Sequence, residues 1–274
     1  FSINSAGSGA SGHSLSFDGT DDYVSGTAQA SLNASTTNLL TISAWVKPNN
    51  YVFDTSQRVF THTTSSSSQQ QYALTLNADG KIYFLAGNGL FEQGGGNSGN
   101  TAATLNQWNH ICMTYDGSAV RLYLNGVLDL EHLVQDSFTS NYIGQFYIGT
   151  RSDGLEAFNG FIDEVAIWND GLTAMEVAAL YNSGNPISAS TNYLYYTSSS
   201  NLKGYWQLNE GSGTYTTDGS GNGNSGTISG ATWSTDIPGS STTSSSGGDD
   251  DGSIELLTGS SESGVSGNEQ GYPL

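Results

Sequence analysis

Trp108-Asn-His-Ile-Cys-Met-Thr-Tyr115 runs into Asp116-Gly117, and Ala119-Val-Arg-Leu-Tyr-Leu124 runs into Asn125-Gly126. Successive side chains of an extended chain point to opposite sides, so Trp108, His110, Cys112 and Thr114 share one face of a strand. Asp-Gly and Asn-Gly accept the positive φ that tight hairpins need. The local reading is a pair of short strands closed by reverse turns, and the pattern continues in both directions. Upstream, Leu15-Ser-Phe17 leads to Asp18-Gly19, and Leu40-Thr-Ile-Ser-Ala-Trp-Val46 stops at Lys47-Pro48. Arg58-Val-Phe-Thr61 follows a loop. Gln71-Tyr-Ala-Leu-Thr-Leu76 and Lys81-Ile-Tyr-Phe-Leu-Ala86 flank Asn77-Ala-Asp-Gly80, which predicts a hairpin turn. Downstream, Phe146-Tyr-Ile148 and Gly160-Phe-Ile-Asp-Glu-Val-Ala-Ile-Trp168 complete the series. Short strands with turns at this spacing predict an all-β sandwich or barrel.

One short helix interrupts the pattern near residues 173–183. Thr173-Ala-Met-Glu176 has the spacing of a capping box, and Leu172 is placed to staple onto Val177. Val177, Leu180 and Tyr181 form its apolar face, and Gly184 is the expected left-handed terminator.

Composition narrows the function. The 274 residues carry 25 acids against 6 Lys+Arg, a formal charge of −19, with 36 glycines. Nucleic acid and anionic membrane surfaces both call for a basic face, so neither is an expected partner. No run approaches the roughly 20 apolar residues of a membrane helix, so no membrane insertion is expected. Cys112 is the single cysteine, which excludes an intramolecular disulfide; on a strand face it reads as a small core residue. An acidic surface rich in Ser, Thr and Asn, and a start at Phe1 rather than Met, predict a secreted or cell-surface location.

Several stretches are similar to laminin-G-like jelly-roll domains of the concanavalin A-like lectin/glucanase superfamily. His13-Ser-Leu-Ser-Phe-Asp-Gly-Thr-Asp-Asp-Tyr-Val24 resembles the family's opening, and Thr41-Ile-Ser-Ala-Trp-Val-Lys47, Trp108-Asn-His-Ile111, Val120-to-Gly126 and Phe158-to-Asn169 resemble later strands in the right order. The resemblance implies a two-sheet antiparallel jelly-roll sandwich over 13–184, after a Gly/Ser leader at 1–12. A connector at 185–202 follows. Residues 203–238, with Gly204-Tyr-Trp206 and Asp218-Gly-Ser-Gly-Asn-Gly-Asn224, resemble the segment that in the family comes first. This displaced piece either folds back on its own sandwich, completes a neighbour's, or begins a truncated second repeat. Residues 239–274 form an acidic Ser/Gly-rich tail unable to order on its own.

Candidate chemistry follows from oxygen-rich turns. Asp18, Asp21 and Asp22 cluster on one turn, where carboxylates and carbonyls can converge on calcium as a structural cofactor. The resemblance implies Asp163 as a further ligand. Asp218, Asn222 and Asn224 space oxygens on alternate residues and make a possible second metal loop. The alternative for all these groups is turn capping through backbone N–H groups. The carboxylate-bearing strand of the glycosidase relatives has no counterpart: Asp129-Leu-Glu131 offers two acids on one face with no third, and Asp163 and Glu164 are expected to face opposite sides. His13, His62, His110 and His132 sit in no recognisable catalytic motif. Tyr51, Phe53, Phe91, Tyr142 and Tyr147 are candidate sugar-stacking aromatics near loops. The sequence thus predicts a secreted, non-catalytic adhesion or structural module, self-associating into a surface assembly or filament through its terminal segments. The alternative is a calcium-assisted carbohydrate-binding, lectin-like module of a larger glycan-active protein.

Overall fold

The computed structural model describes residues 12–51, 55–63, 70–86, 98–134 and 144–240. The expectations for most of the leader, for the tail beyond residue 240, and for Phe53, Phe91 and Tyr142 lie outside the described residues. The strands are β1 Ser14–Asp18, β2 Tyr23–Thr27, β3 Leu40–Pro48, β4 Gln57–Thr63, β5 Gln70–Leu76, β6 Lys81–Ala86, β7 Ser98–Ala102, β8 Asn109–Tyr115, β9 Ala119–Leu124, β10 Val127–Leu133, β11 Gln145–Ile148, β12 Asn159–Trp168, β13 Leu202–Trp206, β14 Tyr215–Thr216, β15 Gly226–Ser229 and β16 Thr232–Ser234, with helix α1 at Ala174–Tyr181. They form two antiparallel sheets packed as a jelly-roll sandwich. One has the order β10-β9-β8-β3-β12-β1-β16, with β13 also paired to β12; the other runs β14-β15-β2-β11-β4-β5-β6-β7.

Alternation explains the core. Ile42, Ala44 and Val46 of β3, Ile111 and Met113 of β8, and Ile162, Val165 and Ile167 of β12 point between the sheets. They meet Val24, Phe60, Leu74, Phe84 and Phe146 from the other sheet. At the centre Trp206 packs on Phe146 and Phe60, with ring centroids 4.6 and 5.6 Å away, and donates its indole N–H to the Asn224 carbonyl at 2.7 Å. A fully buried indole with its polar atom satisfied is a large contributor to such a core.

Residues 202–234 pair with strands of their own chain. β13 lies against the C-terminal half of β12, with Trp206 opposite Val165, while β1 occupies the N-terminal half, with Leu15 opposite Ile162. β16 pairs with β1 and β15 with β2, so this stretch contributes to both sheets. Asp236 then accepts from the Trp108 indole at 2.8 Å and from Lys47 at 2.5 Å.

A second apolar cluster covers the outer face of the first sheet. Cys112, Tyr123, Ala166 and Trp168 meet Leu172, Val177 and Leu180 of the helix region and Ile187, Ala189 and Tyr196 of the connector. The capping box forms as expected: the Thr173 side chain accepts from the Glu176 N–H while the Glu176 carboxylate accepts from the Thr173 N–H. The helix ends earlier than expected. Asn182, at φ 43°, takes the left-handed position assigned to Gly184, since Asn tolerates that conformation through its short polar side chain.

Candidate functional site: the loop end of the sandwich

Three carboxylates meet on the β1–β2 turn. Ligand oxygens of Asp18, Asp21 and Asp22 all lie within 4.8 Å of one another. Gly19, at φ 80°, lets the chain reverse, and Thr20 donates its N–H to Asp18 at 2.7 Å. Asp22 accepts from the Asp18 N–H at 2.9 Å and packs on Gly230, where any Cβ would run into its carboxylate. Burial, reinforced by the charges of Asp18 and Asp21, holds the Asp22 carboxyl above its usual range, against the pull of the Asp18 N–H. Backbone bonds thus use one oxygen of Asp18 and one of Asp22, and the three carboxylates are a group that could hold a metal ion.

Asp163 is not part of this cluster. Asn159, not Asp163, stands opposite Asp18 on β12. Asn159 is the hub of the loop end: its side chain donates to the Asp18 carbonyl at 3.2 Å and accepts from Asn49 at 2.9 Å, and its N–H donates to Gln57 at 2.8 Å. The β11–β12 loop joins the same end. Arg58, 3% exposed, donates from Nε to Glu156 at 2.6 Å, and Arg151 donates to the other Glu156 oxygen at 2.7 Å. Glu156 itself sits at φ 58°, an uncommon backbone setting for a residue with a side chain.

The second candidate loop spends its oxygens internally. One Asp218 oxygen accepts the N–H groups of Tyr205 (3.0 Å) and Ser220 (2.9 Å), and the other accepts the backbone and side-chain N–H groups of Asn224 (2.9 and 3.2 Å). The Asn224 oxygen accepts from Gln29, and its amide also donates to Ser31 and to the Lys203 carbonyl. Asn222 donates to the Leu202 carbonyl at 3.2 Å. Four donors fill the four acceptor positions of the Asp218 carboxylate, so the loop reads as a latch on β13 rather than as a cage.

Asp163 and Glu164 lie elsewhere, under the helix, and on one face rather than two. The pairing of β12 with β3 slips between Asp163 and Ala166, where Glu164 adopts φ 51°. This bulge turns Glu164 to the outer side, where it lines a cavity of about 10 Å³ with Ser43, His110 and Tyr205. That is room for about one water. Tyr205 donates to Glu164. Burial pushes Glu164 up to about 8 despite that bond, and burial plus the neighbouring Glu164 charge pushes Asp163 well above the usual carboxylate range. Ser43 contacts His110 Nε2 at 2.7 Å, a juxtaposition no local motif announced. His110 is pushed down to about 3 by burial, and the stacked rings of Trp45 and Tyr181 pack beside it. No substrate fits a space of this size. Asp129 and Glu131 also part company: a bulge at Leu128/Leu130 lets Asp129 accept N–H groups of Asn100 and Thr101, while Glu131 accepts from Arg121. Tyr147 is half-buried beside Tyr23, ring centroids 6.1 Å apart.

Two antiparallel sheets in this order, with oxygen-rich turns at one end, define a concanavalin A-like jelly roll. The family described as the concanavalin A-like lectin/glucanases superfamily, a laminin-G family, matches residues 18–178, and the chain belongs to it. Among solved structures, it is similar to a protein of Bacteroides ovatus assigned provisionally as carbohydrate-binding, at TM-score 0.59 and 19% identity, over 83% of this chain and 61% of that one. The chain therefore spans about three fifths of that protein's length. A heptameric SAP-like pentraxin of Limulus polyphemus gives TM-score 0.47 and 18% identity, over 62% of this chain and 82% of its own. Domain 4 of AbnA, an extracellular arabinanase of Geobacillus stearothermophilus in complex with arabinotriose, gives 0.41 and 23%, over 53% and 66%. A search of curated proteins gives no match. No helix among the described residues is long and apolar enough to cross a membrane.

Proposed function

We propose that the chain is a secreted, non-catalytic carbohydrate-binding module whose ligand is held at the loop end, with calcium bracing the Asp18–Asp22 turn. The observation that carries this reading is the concentration of carboxylate, amide and hydroxyl groups contributed by several separate loops to that one end. Sugar recognition needs such groups fixed in advance, since each rotamer frozen on binding subtracts from affinity. The family, with its lectin and glucanase members, supports the reading, as does the likeness to a protein assigned provisionally to carbohydrate binding. Catalysis is disfavoured because Asp163 and Glu164 are buried, and the cavity that Glu164 lines is too small for a sugar. A glycan array probed with the full chain, with calcium and with EGTA, tests it: binding that weakens in EGTA and in Asp22→Asn supports the reading, and an array without a binder contradicts it.

A second reading, an extracellular adhesion or assembly subunit, is favoured by one feature. Residues 202–234 supply strands to both sheets yet hang on a long connector after α1, so the same pairings can form between copies. Light scattering of the native protein separates a polymer from a monomer.

A further inference from the structure

A groove of about 480 Å³ opens at the loop end, lined by Thr55 and Ser56 of the β3–β4 loop, Asn77, Ala78 and Asp79 of the β5–β6 turn, and Glu156 of the β11–β12 loop. We propose that this groove is the seat of a neutral oligosaccharide, gripped through its hydroxyls by Asp79 and Glu156. The proposal rests on the carbohydrate-binding reading and names its site and its class of sugar.

The sign of the charges around the groove selects the ligand. Asp79 is held by Lys81 at 2.8 Å, and Glu156 by Arg58 at 2.6 Å and Arg151 at 2.7 Å. None of these three cations lines the groove; the carboxylates do. The cations thus fix the acceptors, and it is the carboxylates that line the groove. A sugar hydroxyl donates to a carboxylate in a charge-assisted bond, the stronger kind of hydrogen bond. A sialic or uronic acid would bring its own carboxylate against two others, in a chain whose formal charge is already −19. The lining carboxylates and the acidic chain therefore favour neutral sugars over acidic ones.

The groove is shaped before any ligand arrives. The Asn77 side-chain oxygen accepts the N–H groups of Asp79 and Lys81, and its amide donates to Ser98, which locks the turn carrying Asp79. Glu156 is fixed by its two arginines in a left-handed backbone setting, and strain of that kind persists where surrounding contacts over-determine it. Tyr51 packs its ring against Gly80, next to Asp79, and its hydroxyl is buried with no partner among the described residues. A buried donor without a partner is uncommon, and here it lies one residue from the groove wall. The volume is that of a small-ligand site, and the open form suits a short chain.

Isothermal titration of the full chain against neutral trisaccharides (gluco-, manno-, galacto-, xylo- and arabino-) and against 3′-sialyllactose and trigalacturonic acid tests the proposal. At least one neutral trisaccharide is expected to bind and both acidic ones to fail. Asp79→Asn and Ser56→Ala, both on loops and away from the buried Arg58, are each expected to weaken binding about tenfold, the loss of roughly one hydrogen bond to a charged or polar partner. A neutral binder equally tight in both variants, or a preference for the acidic sugars, overturns the groove assignment and leaves the carbohydrate-binding reading standing. A chain that binds none of these sugars and nothing on the glycan array overturns that reading, and the inference with it.

Discussion

The molecule carries two concentrations of acid, and burial separates their roles. At the loop end, Asp18, Asp21 and Asp22 share a turn, with Asp79 and Glu156 lining a groove at the same end. Beneath the helix, Glu164 lines space for about one water with His110 and Ser43, and Asp163 is buried next to it in sequence. The first group keeps oxygens available to a cation or a hydroxyl. The second is held away from ionisation by burial, with Glu164 bonded to Tyr205. The same residue type is therefore more exposed at one site and packed away at the other, and accessible oxygen rather than acidity distinguishes the site proposed for binding.

The largest effect sharpens the contrast by removing a third, fully satisfied carboxylate. Asp218→Ala strands the Tyr205, Ser220 and Asn224 donors around a buried position and should cost about 4 kcal/mol in urea unfolding, without changing glycan binding by the loop end. Next comes the buried pair. Below about pH 4.5, the ordinary value, the Glu164 carboxyl is protonated in both folded and unfolded chain. Between there and about pH 8 the unfolded chain has released the proton and the folded chain retains it, so stability falls as pH rises. The Glu164 share of that loss is about 3 kcal/mol between pH 5 and pH 8; Glu164→Gln is expected to lose less than wild type and to keep the share that burial of Asp163 contributes. Wild-type stability that rises over this interval would place the acids in an open, solvated setting.

Calcium gives a smaller shift of opposite location. At about one hundred times its Kd, it should stabilise the fold by about 2.7 kcal/mol, seen as a raised Tm that Asp22→Asn removes and Glu164→Gln leaves in place. Least of all, Gly230→Ala should cost about 2 kcal/mol, because φ 77° disfavours a side chain and the new Cβ meets Asp22; it should also weaken the calcium response.

Much of the fold was legible because its signals are local. Period-two alternation marks β3, β5, β6, β8 and β9, and the turns at Asn77–Gly80 and Asn125-Gly126 carry their own chemistry. The capping box at Thr173 needed only four residues to announce itself. Other features escaped for identifiable reasons. β7, Ser98-Gly-Asn-Thr-Ala102, has no apolar alternation, since it lies at the edge of its sheet. The bulges at Glu164 and at Leu128/Leu130 shift the phase of their strands, and a face assignment that counts by two fails there. The Asp18–Asp22 cluster was visible because its members are neighbours in sequence. The groove was not, because Ser56, Asp79 and Glu156 come together only when three separate loops share one end of the sandwich.

Hydrogen exchange of the backbone amides, with and without a saturating neutral trisaccharide in calcium, tests the central claim most directly. New protection is expected over residues 18–22, 55–58, 77–81 and 151–159, with no change over α1 and β13. Protection confined to residues 174–206, or spread over the outer face beneath the helix, would contradict it.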